Sequence, residues 1–381
     1  MAQSDRKANR DREKAQASEA AEEAQTTARS GKLAEVEDDE FLFVGIDLGT
    51  SRSSIAASNG IRSVVPSVVG WPKDSIARKL LKTSVLVGKD AEENRLCLDM
   101  VHPLEHGVLR GSGDDSEEGK AAMERSLAAA REILMHLVKE VKPISGQTIY
   151  GVIGAPAQAS VKNKKALINV AEGILDAVIV VSEPFSVAYG MDRLQDTLVV
   201  DIGAGTTDLC RMYGAFPTDE DQLTLTAGGD TIDELLYQSL VERKTQAQFN
   251  LNMVRKAKEQ FGFVDEAQKE IKVAFPVDGI PQEIDITEEM RAACSSIVPE
   301  ILESIQLMLR SFDPEFQHRI RQNVLLAGGG SQLEGLEDVI ERGLTRLGGG
   351  KVTRVDEPVY AGAGGALKLA HDLPADTWKP L

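Results

Sequence analysis

Cysteine is scarce in this chain of 381 residues: it has three, Cys97, Cys210 and Cys294, far apart and with no Cys-x-x-Cys pair. With no histidine at ligand spacing either, neither a zinc site nor a disulfide framework is expected, and the three read as ordinary reduced thiols. Histidine is also sparse, and the five present (His102, His106, His136, His318 and His371) show no catalytic spacing. They are read as scattered structural or surface residues outside any mechanism. No apolar run approaches the roughly 20 residues that cross a bilayer, and no charged-then-apolar signal segment opens the chain. Direct membrane insertion is therefore not expected, and a cytosolic location is. Positive charge is in deficit: 43 Lys and Arg against 60 Asp and Glu leave a net charge of −17. That balance argues against nucleic acid or an anionic membrane as the main partner, and otherwise describes a solubilising acidic surface. No aromatic residue precedes Phe41, and the leader is rich in Ala, Gln, Glu, Lys and Arg without an apolar stripe. Residues 1–40 are expected to be a disordered tail.

The remaining length suits two domains, each able to bury its own core. They are organised around Val199-Val200-Asp201-Ile202-Gly203-Ala204-Gly205-Thr206-Thr207-Asp208. Its β-branched lead-in reads as a strand, and its glycines let the chain reverse with main-chain N–H groups bunched at the bend, where phosphate can be held. A relative stands near the start, Val44-Gly45-Ile46-Asp47-Leu48-Gly49-Thr50-Ser51. Either copy alone also describes an ordinary turn. Together, two hairpins with a carboxylate at each strand end make sense facing each other across a cleft, holding a polyphosphate and its divalent cation.

Strands alternate with helices along the rest of the chain, the pattern of an α/β fold with largely parallel sheets. Ser53–Ser58 and Ile61–Val65 flank Asn59-Gly60, a hairpin signal. A helix over Ala121–Val141 ends before Pro143, and strands are expected at Ile149–Ala155 and Ala177–Val181 around a helix near Ser160–Glu172. Pro184 suits the first position of the next helix, which leaves Glu183 at the carboxyl edge of the sheet. An acid there can orient or deprotonate an attacking water, or it can simply cap the helix. A helix Leu251–Phe261 carries Lys258 and Glu259, which either reach a ribose and base or form a solvated face. Strands Ile271–Phe275 and Glu283–Ile286 precede a helix from Thr287 to about Phe312 whose Pro299 implies a kink or break. Val324–Ala327 delivers Gly328, Gly329 and Gly330 to a sheet edge, with a helix from about Gln332. Finally, Tyr360–Ala366 begins a small-residue helix suited to close packing between the halves.

These motifs resemble, in order and spacing, those of the actin, sugar kinase and heat-shock chaperone ATPase superfamily. Asp47–Ser51 matches its first phosphate motif, Ser182–Gly190 its first connecting motif and Asp201–Asp208 its second phosphate motif. Leu326–Gln332 matches its adenosine motif and Tyr360–Ala366 its second connecting helix. Within the superfamily the chain is most similar to the bacterial actins of the magnetosome cytoskeleton. That likeness rests on Phe43–Thr50 (FVGIDLGT), Ser67–Lys73 (SVVGWPK), Val181–Phe185 (VSEPF), Val199–Asp208 (VVDIGAGTTD), Lys258–Val264 (KEQFGFV), Leu309-Arg310-Ser311-Phe312 and Ala327–Ser331 (AGGGS). The long leader departs from the short N-terminus of that group.

The resemblance implies an actin-like, ribonuclease H-like duplicated α/β fold with two domains around a nucleotide cleft. Residues 41–200 would form the first, to which the helix at 360–371 can return, and 201–381 the second. It implies an ATPase that takes ATP or ADP with Mg²⁺ and polymerises into cytoplasmic filaments organising or positioning magnetosomes. Its partners would be further copies of itself and magnetosome-associated proteins. Asp47 and Asp201 would hold the water shell of Mg²⁺. The backbones of Gly49, Thr50, Ser51, Gly203, Ala204, Gly205 and Thr206 would cradle the phosphates. Glu183 would place the attacking water, with Asp201 completing the catalytic pair. Lys258 and Glu259 would flank the adenosine, with Gly328, Gly329 and Gly330 beneath the base. Of the alternatives, a chaperone ATPase needs a peptide-binding domain after the last motif, where only Asp372–Leu381 follows. A sugar kinase needs a substrate base besides Glu183, and none is convincing. A non-filamentous division or pilus scaffold remains a third reading, although no membrane-binding terminal helix or characteristic insertion is identified.

Overall fold

The protein is described here by a computed structural model covering residues 40–243, 246–265 and 270–381. The expected tail lies outside the described residues except for Glu40.

The first half is built on five strands: β1 (Phe41–Leu48), β2 (Arg52–Ala57), β3 (Arg62–Pro66), β4 (Thr148–Ala155) and β5 (Ala177–Ser182), in the order β5-β4-β1-β2-β3. The hairpin between β2 and β3 turns at Asn59-Gly60, where Gly60 adopts φ 82° and Asn59 Nδ2 donates to the Val141 carbonyl at 2.7 Å. β1 is antiparallel to β2 and parallel to β4. The second half repeats this with β6 (Thr197–Ile202), β7 (Thr207–Met212), β8 (Gln222–Leu225), β9 (Val324–Ala327) and β10 (Val352–Arg354), ordered β10-β9-β6-β7-β8. β6 is antiparallel to β7 and parallel to β9. Counting within each half, both sheets read 5-4-1-2-3, so the duplicated motif belongs to a duplicated sheet. The expected division at 200/201 falls inside β6, and the second sheet begins at Thr197.

Helices cover both faces. The first half carries α1 (Glu117–Glu140), whose Ser116 cap starts it earlier than its apolar stripe suggests, then α2 (Val161–Ala171) and α3 (Glu183–Gly190). The second carries α4 (Gly229–Glu242), α5 (Leu251–Phe261), α6 (Thr287–Ser295), α7 (Val298–Arg310), α8 (Leu336–Leu344) and α9 (Ala361–Asp372). Period-two alternation decides which strand residues face which layer. Leu42, Val44, Ile46 and Leu48 of β1 join α1 and α2 in one core, and Leu198, Val200 and Ile202 of β6 join the helices of the second half in another. A third core lies between the sheets and gathers Val152, Val199, Cys210 and Leu325 with Phe185 and Ala188 of α3 and Ala366 and Leu369 of α9. The molecule is therefore layered as helices, sheet, the helix pair α3 and α9, sheet, helices. α9 packs backbone to backbone against both β1 and α3: a Cβ at Gly45 would lie 2.0 Å from the Ala363 carbonyl oxygen, and one at Gly365 would lie 1.8 Å from that of Ser186.

Several boundaries differ from expectation. The helix expected from Thr287 breaks into α6 and α7, with Pro299 in the first turn of α7 where its missing N–H costs nothing. The combined stretch Thr287–Arg310 is long and apolar enough to cross a membrane, against the expectation that no such run exists, but half of its most apolar window is buried inside the protein. The expected start near Gln332 is a short 3₁₀ turn, Gly329–Gln332, and α8 begins only after Gly335, held at φ 81°. Pro184 takes the second helical position rather than the first, with Ser182 as cap.

Candidate functional site

The alternation that builds the cores also aims the acids. Even-numbered residues of β1 and β6 enter the outer cores, so Asp47 and Asp201 project into the layer between the sheets. Asp208 shares a face of β7 with Cys210 and Met212 of that layer, and Glu183 opens α3 within it. Asp47, Glu183 and Asp201 line a cavity of about 1290 Å³ between the halves.

Two loops roof this cavity. In the second, Gly203 N–H donates to the Thr206 carbonyl at 2.9 Å, while the carbonyls of Gly203 and Ala204 accept from Gly229 N at 3.0 Å and Asp230 N at 2.8 Å in α4. Because each peptide is planar and trans, those bonds turn the N–H groups of Ala204 and Gly205 the opposite way, away from α4. In the first, the Gly49 carbonyl accepts from Ser67 Oγ at 2.6 Å, and a Cβ at Gly49 would lie 2.5 Å from the Arg52 carbonyl oxygen. Gly49, Thr50, Ser51, Gly203, Ala204 and Gly205 all line the cavity; Thr206 does not. Its buried hydroxyl donates to Asp208 Oδ2 at 2.7 Å, so the side chain is turned from the cavity and only its backbone is left for the cradle.

A residue set aside on sequence grounds joins the two loops. His106, at the tip of a hairpin of Leu104–Glu105 and Val108–Leu109, brings Nδ1 to 3.0 Å from the Gly205 carbonyl. Its neighbour Gly107 donates to Thr50 Oγ1 at 3.1 Å. His106 therefore stands beside the site and not outside it. In the sequence only the Gly107 that follows marks a turn here, and nothing local points to the partner loop; in the fold His106 takes φ 47°. Asp208 was likewise unassigned beyond its place in the motif; it accepts from Ala157 N and from the hydroxyls of Thr206 and Thr224 at 2.6–2.7 Å.

The side of the cavity formed by α4 and α5 is held by ion pairs. Arg255 bonds Asp230 and Asp233, each at 2.8 Å, and Lys258 Nζ lies 2.7 Å from both Asp233 Oδ1 and the Gly229 carbonyl. The contact to Oδ1 is one of charge rather than a well-directed hydrogen bond. Glu259 pairs with Arg52 across the cavity. The three glycines divide: Gly328, at φ 73°, and Gly330 are pressed against Asp201 and Ile202, whereas Gly329 has open space where a side chain would go. All three line the cavity with Lys258 and Glu259.

Burial pushes Asp47 up from 3.8 to about 6. Burial, then the charges of Asp47, Asp208 and Asp201, raises Glu183 well above the carboxylate range, and Asp201 is raised by burial and by Asp47 and Asp208. Glu183 is the first helical residue of α3, an acid in the first turn where the helix dipole favours it, and its carboxyl also lies among the acids of the cavity. Among the described residues no three acids, histidines or cysteines are placed to ligate a metal directly. An all-oxygen set of one or two carboxylates suits Mg²⁺, which keeps several waters and takes phosphate oxygens as further ligands; Asp47 and Asp201 fit that part.

The family model for MreB/Mbl protein matches residues 42–376. The chain belongs to the MreB/Mbl family. It is similar to "Actin-like protein MamK" of Paramagnetospirillum magneticum, 43% identical over 340 residues, covering 89% of this chain and 95% of that protein. Among solved structures it is similar to a MamK double helical filament (TM-score 0.82, 43% identity, 87% of this chain and 99% of that one). It is also similar to a non-polymerising MamK mutant bound to AMPPNP (TM-score 0.66, 42% identity, 88% and 100%).

One consequence of burying these acids is a pH-dependent stability. A carboxyl raised from 3.8 to about 6 on folding contributes stability that is complete below 3.8 and is lost as pH rises through about 6. For Asp47 this amounts to about 3 kcal/mol at neutral pH. In chelator and without nucleotide, Asp47→Asn should therefore unfold at higher denaturant than the parent at pH 7.5 and at nearly the same point at pH 4. Equal shifts at both pH values would contradict it.

Proposed function

We infer that this protein is an ATP-binding actin homologue that hydrolyses ATP with Mg²⁺ and assembles into cytoplasmic filaments. The observation carrying this reading is the pair of acid-bearing loops, one from each half, facing a single cavity of nucleotide size. Similarity to MamK filaments and to an AMPPNP-bound MamK variant supports both assembly and the nucleotide.

In this reading the N–H groups of Ala204 and Gly205, with the first loop, receive the phosphates, and Asp47 and Asp201 hold the hydrated Mg²⁺. When bound, that ion offsets charge on the phosphate oxygens. Glu183, held by α3 at the sheet edge, orients the attacking water. Positive charge beside the neighbouring acids favours its ionised form, so the base is most competent in the loaded site. Lys258, Glu259 and the three glycines surround the adenosine. By likeness to MamK, the filament would run with the magnetosome chain and recruit magnetosome-associated proteins.

Sedimentation with ATP and Mg²⁺, followed by electron microscopy, tests the proposal. Polymer should pellet at tens of micromolar protein and hydrolysis should rise with concentration, because a neighbouring copy can complete the site. Absence of pelletable polymer across several salt conditions would sink it.

A further inference from the structure

Arg52 begins β2 directly behind the first loop, and Glu259 sits on α5 in the opposite half. Arg52 Nη2 lies 2.8 Å from Glu259 Oε2, and the two side chains retain 44% and 37% of their exposure. Both line the cavity next to Gly49, Thr50 and Ser51. An ion pair so open to water is weak and readily exchanged. The neighbouring cations are differently placed. Arg255 is bound to Asp230 and Asp233, and Lys258 to buried Asp233 and the Gly229 carbonyl. Lys256, on α5, is exposed. The floor itself carries Asp47, Glu183 and Asp201, so it offers a polyphosphate no positive charge of its own. Among the described residues, Arg52 is the lining cation adjacent in the chain to a phosphate loop, and its partner is a half-exposed surface acid.

We propose that Arg52 is a phosphate-binding residue held in reserve by Glu259: a nucleoside triphosphate draws its guanidinium onto phosphate oxygens and releases Glu259 to the ribose hydroxyls. This rests on the nucleotide reading of the cleft and names the residue pair that lets it sense phosphate. The planar guanidinium matches phosphate oxygens as well as it matches a carboxylate, and phosphate brings more negative charge. A freed carboxylate is an acceptor suited to two ribose hydroxyls. A nucleoside without phosphates must instead compete with Arg52 for Glu259. The exchange thus links the two ends of the ligand, and discrimination by phosphate exceeds what one contact would give.

Calorimetric binding of ATP and of adenosine to the full chain, at constant Mg²⁺ and below the assembly concentration, tests this. Arg52→Ala should weaken ATP at least about tenfold while adenosine binds as well as before or a few fold tighter. Arg52→Lys, which keeps the charge but not the fork, should recover part of the ATP affinity and serves if the alanine variant folds poorly. Glu259→Gln should weaken adenosine more than ATP, since it loses one of the two ribose acceptors and the charge that holds Arg52. Equal losses for ATP and adenosine in the Arg52 variants would make the pair a structural strap and overturn the proposal, as would unchanged ATP affinity. If the parent protein binds no ATP, the cleft reading itself fails instead.

Discussion

Glu183→Ala should bind ATP and assemble as the parent protein does, yet hydrolyse it about a hundredfold or more slowly, leaving filaments that persist after the parent's have disassembled. The size follows from removing a positioned acid–base group, which contributes on the order of 10²–10⁴ in rate. Binding should survive because, in the reading proposed above, loop backbone receives the phosphates and Asp47 and Asp201 hold the hydrated Mg²⁺, without Glu183. The carboxyl has an added burden in the empty site: burial and three neighbouring acids oppose its charge. Its removal should therefore also stabilise the nucleotide-free fold, a sign opposite to that of most core deletions. Phosphate release measured alongside light scattering separates the two effects. Parent-like turnover in this variant would remove Glu183 from the chemistry.

The second large effect belongs to α9. At Gly365 a new Cβ would stand 1.8 Å from the Ser186 carbonyl oxygen and 3.2 Å from Gly190 N, so Gly365→Val must prise α9 from α3. Neither contact is a flexible side-chain end, and overpacking against backbone should cost more than about 3 kcal/mol. One residue earlier, Gly364 has nothing within 4 Å of the same position. Gly364→Ala should be tolerated, or stabilise by about 0.5–1 kcal/mol through its better helix propensity. Denaturant midpoints of the two variants decide the matter. Similar behaviour would mean that the central helix pair does not set the spacing between the sheets.

Much of this fold is legible because its signals are local and repeated. Asp47 and Asp201 end matching apolar strands before matching glycine turns, and two copies of one pattern predict one topology used twice. The split at Pro299 is legible for the same kind of reason, since proline removes a donor wherever it stands. Contacts between distant segments leave weaker marks. Nothing near His106 points to Gly205, 99 residues away, and nothing beside Arg52 points to Glu259. Thr206 reads as part of the phosphate cradle because it sits between Gly205 and Thr207; only the folded chain shows its hydroxyl committed to Asp208. Boundaries fail where tertiary pairing overrides local preference. The helix expected at Gln332 waits until Leu336 because Phe263 and Glu334 first pair as a β-bridge.

The placement of α9 also bears on how the molecule is made. β1 is synthesised before the second sheet, but the backbone that closes over Gly45 belongs to Ala363 and Leu367, synthesised after the whole of that sheet. The inner face of β1 must wait for that cover while some 300 further residues are translated. A nascent chain paused before residue 361 would carry that bare face, and should be the form most dependent on chaperones.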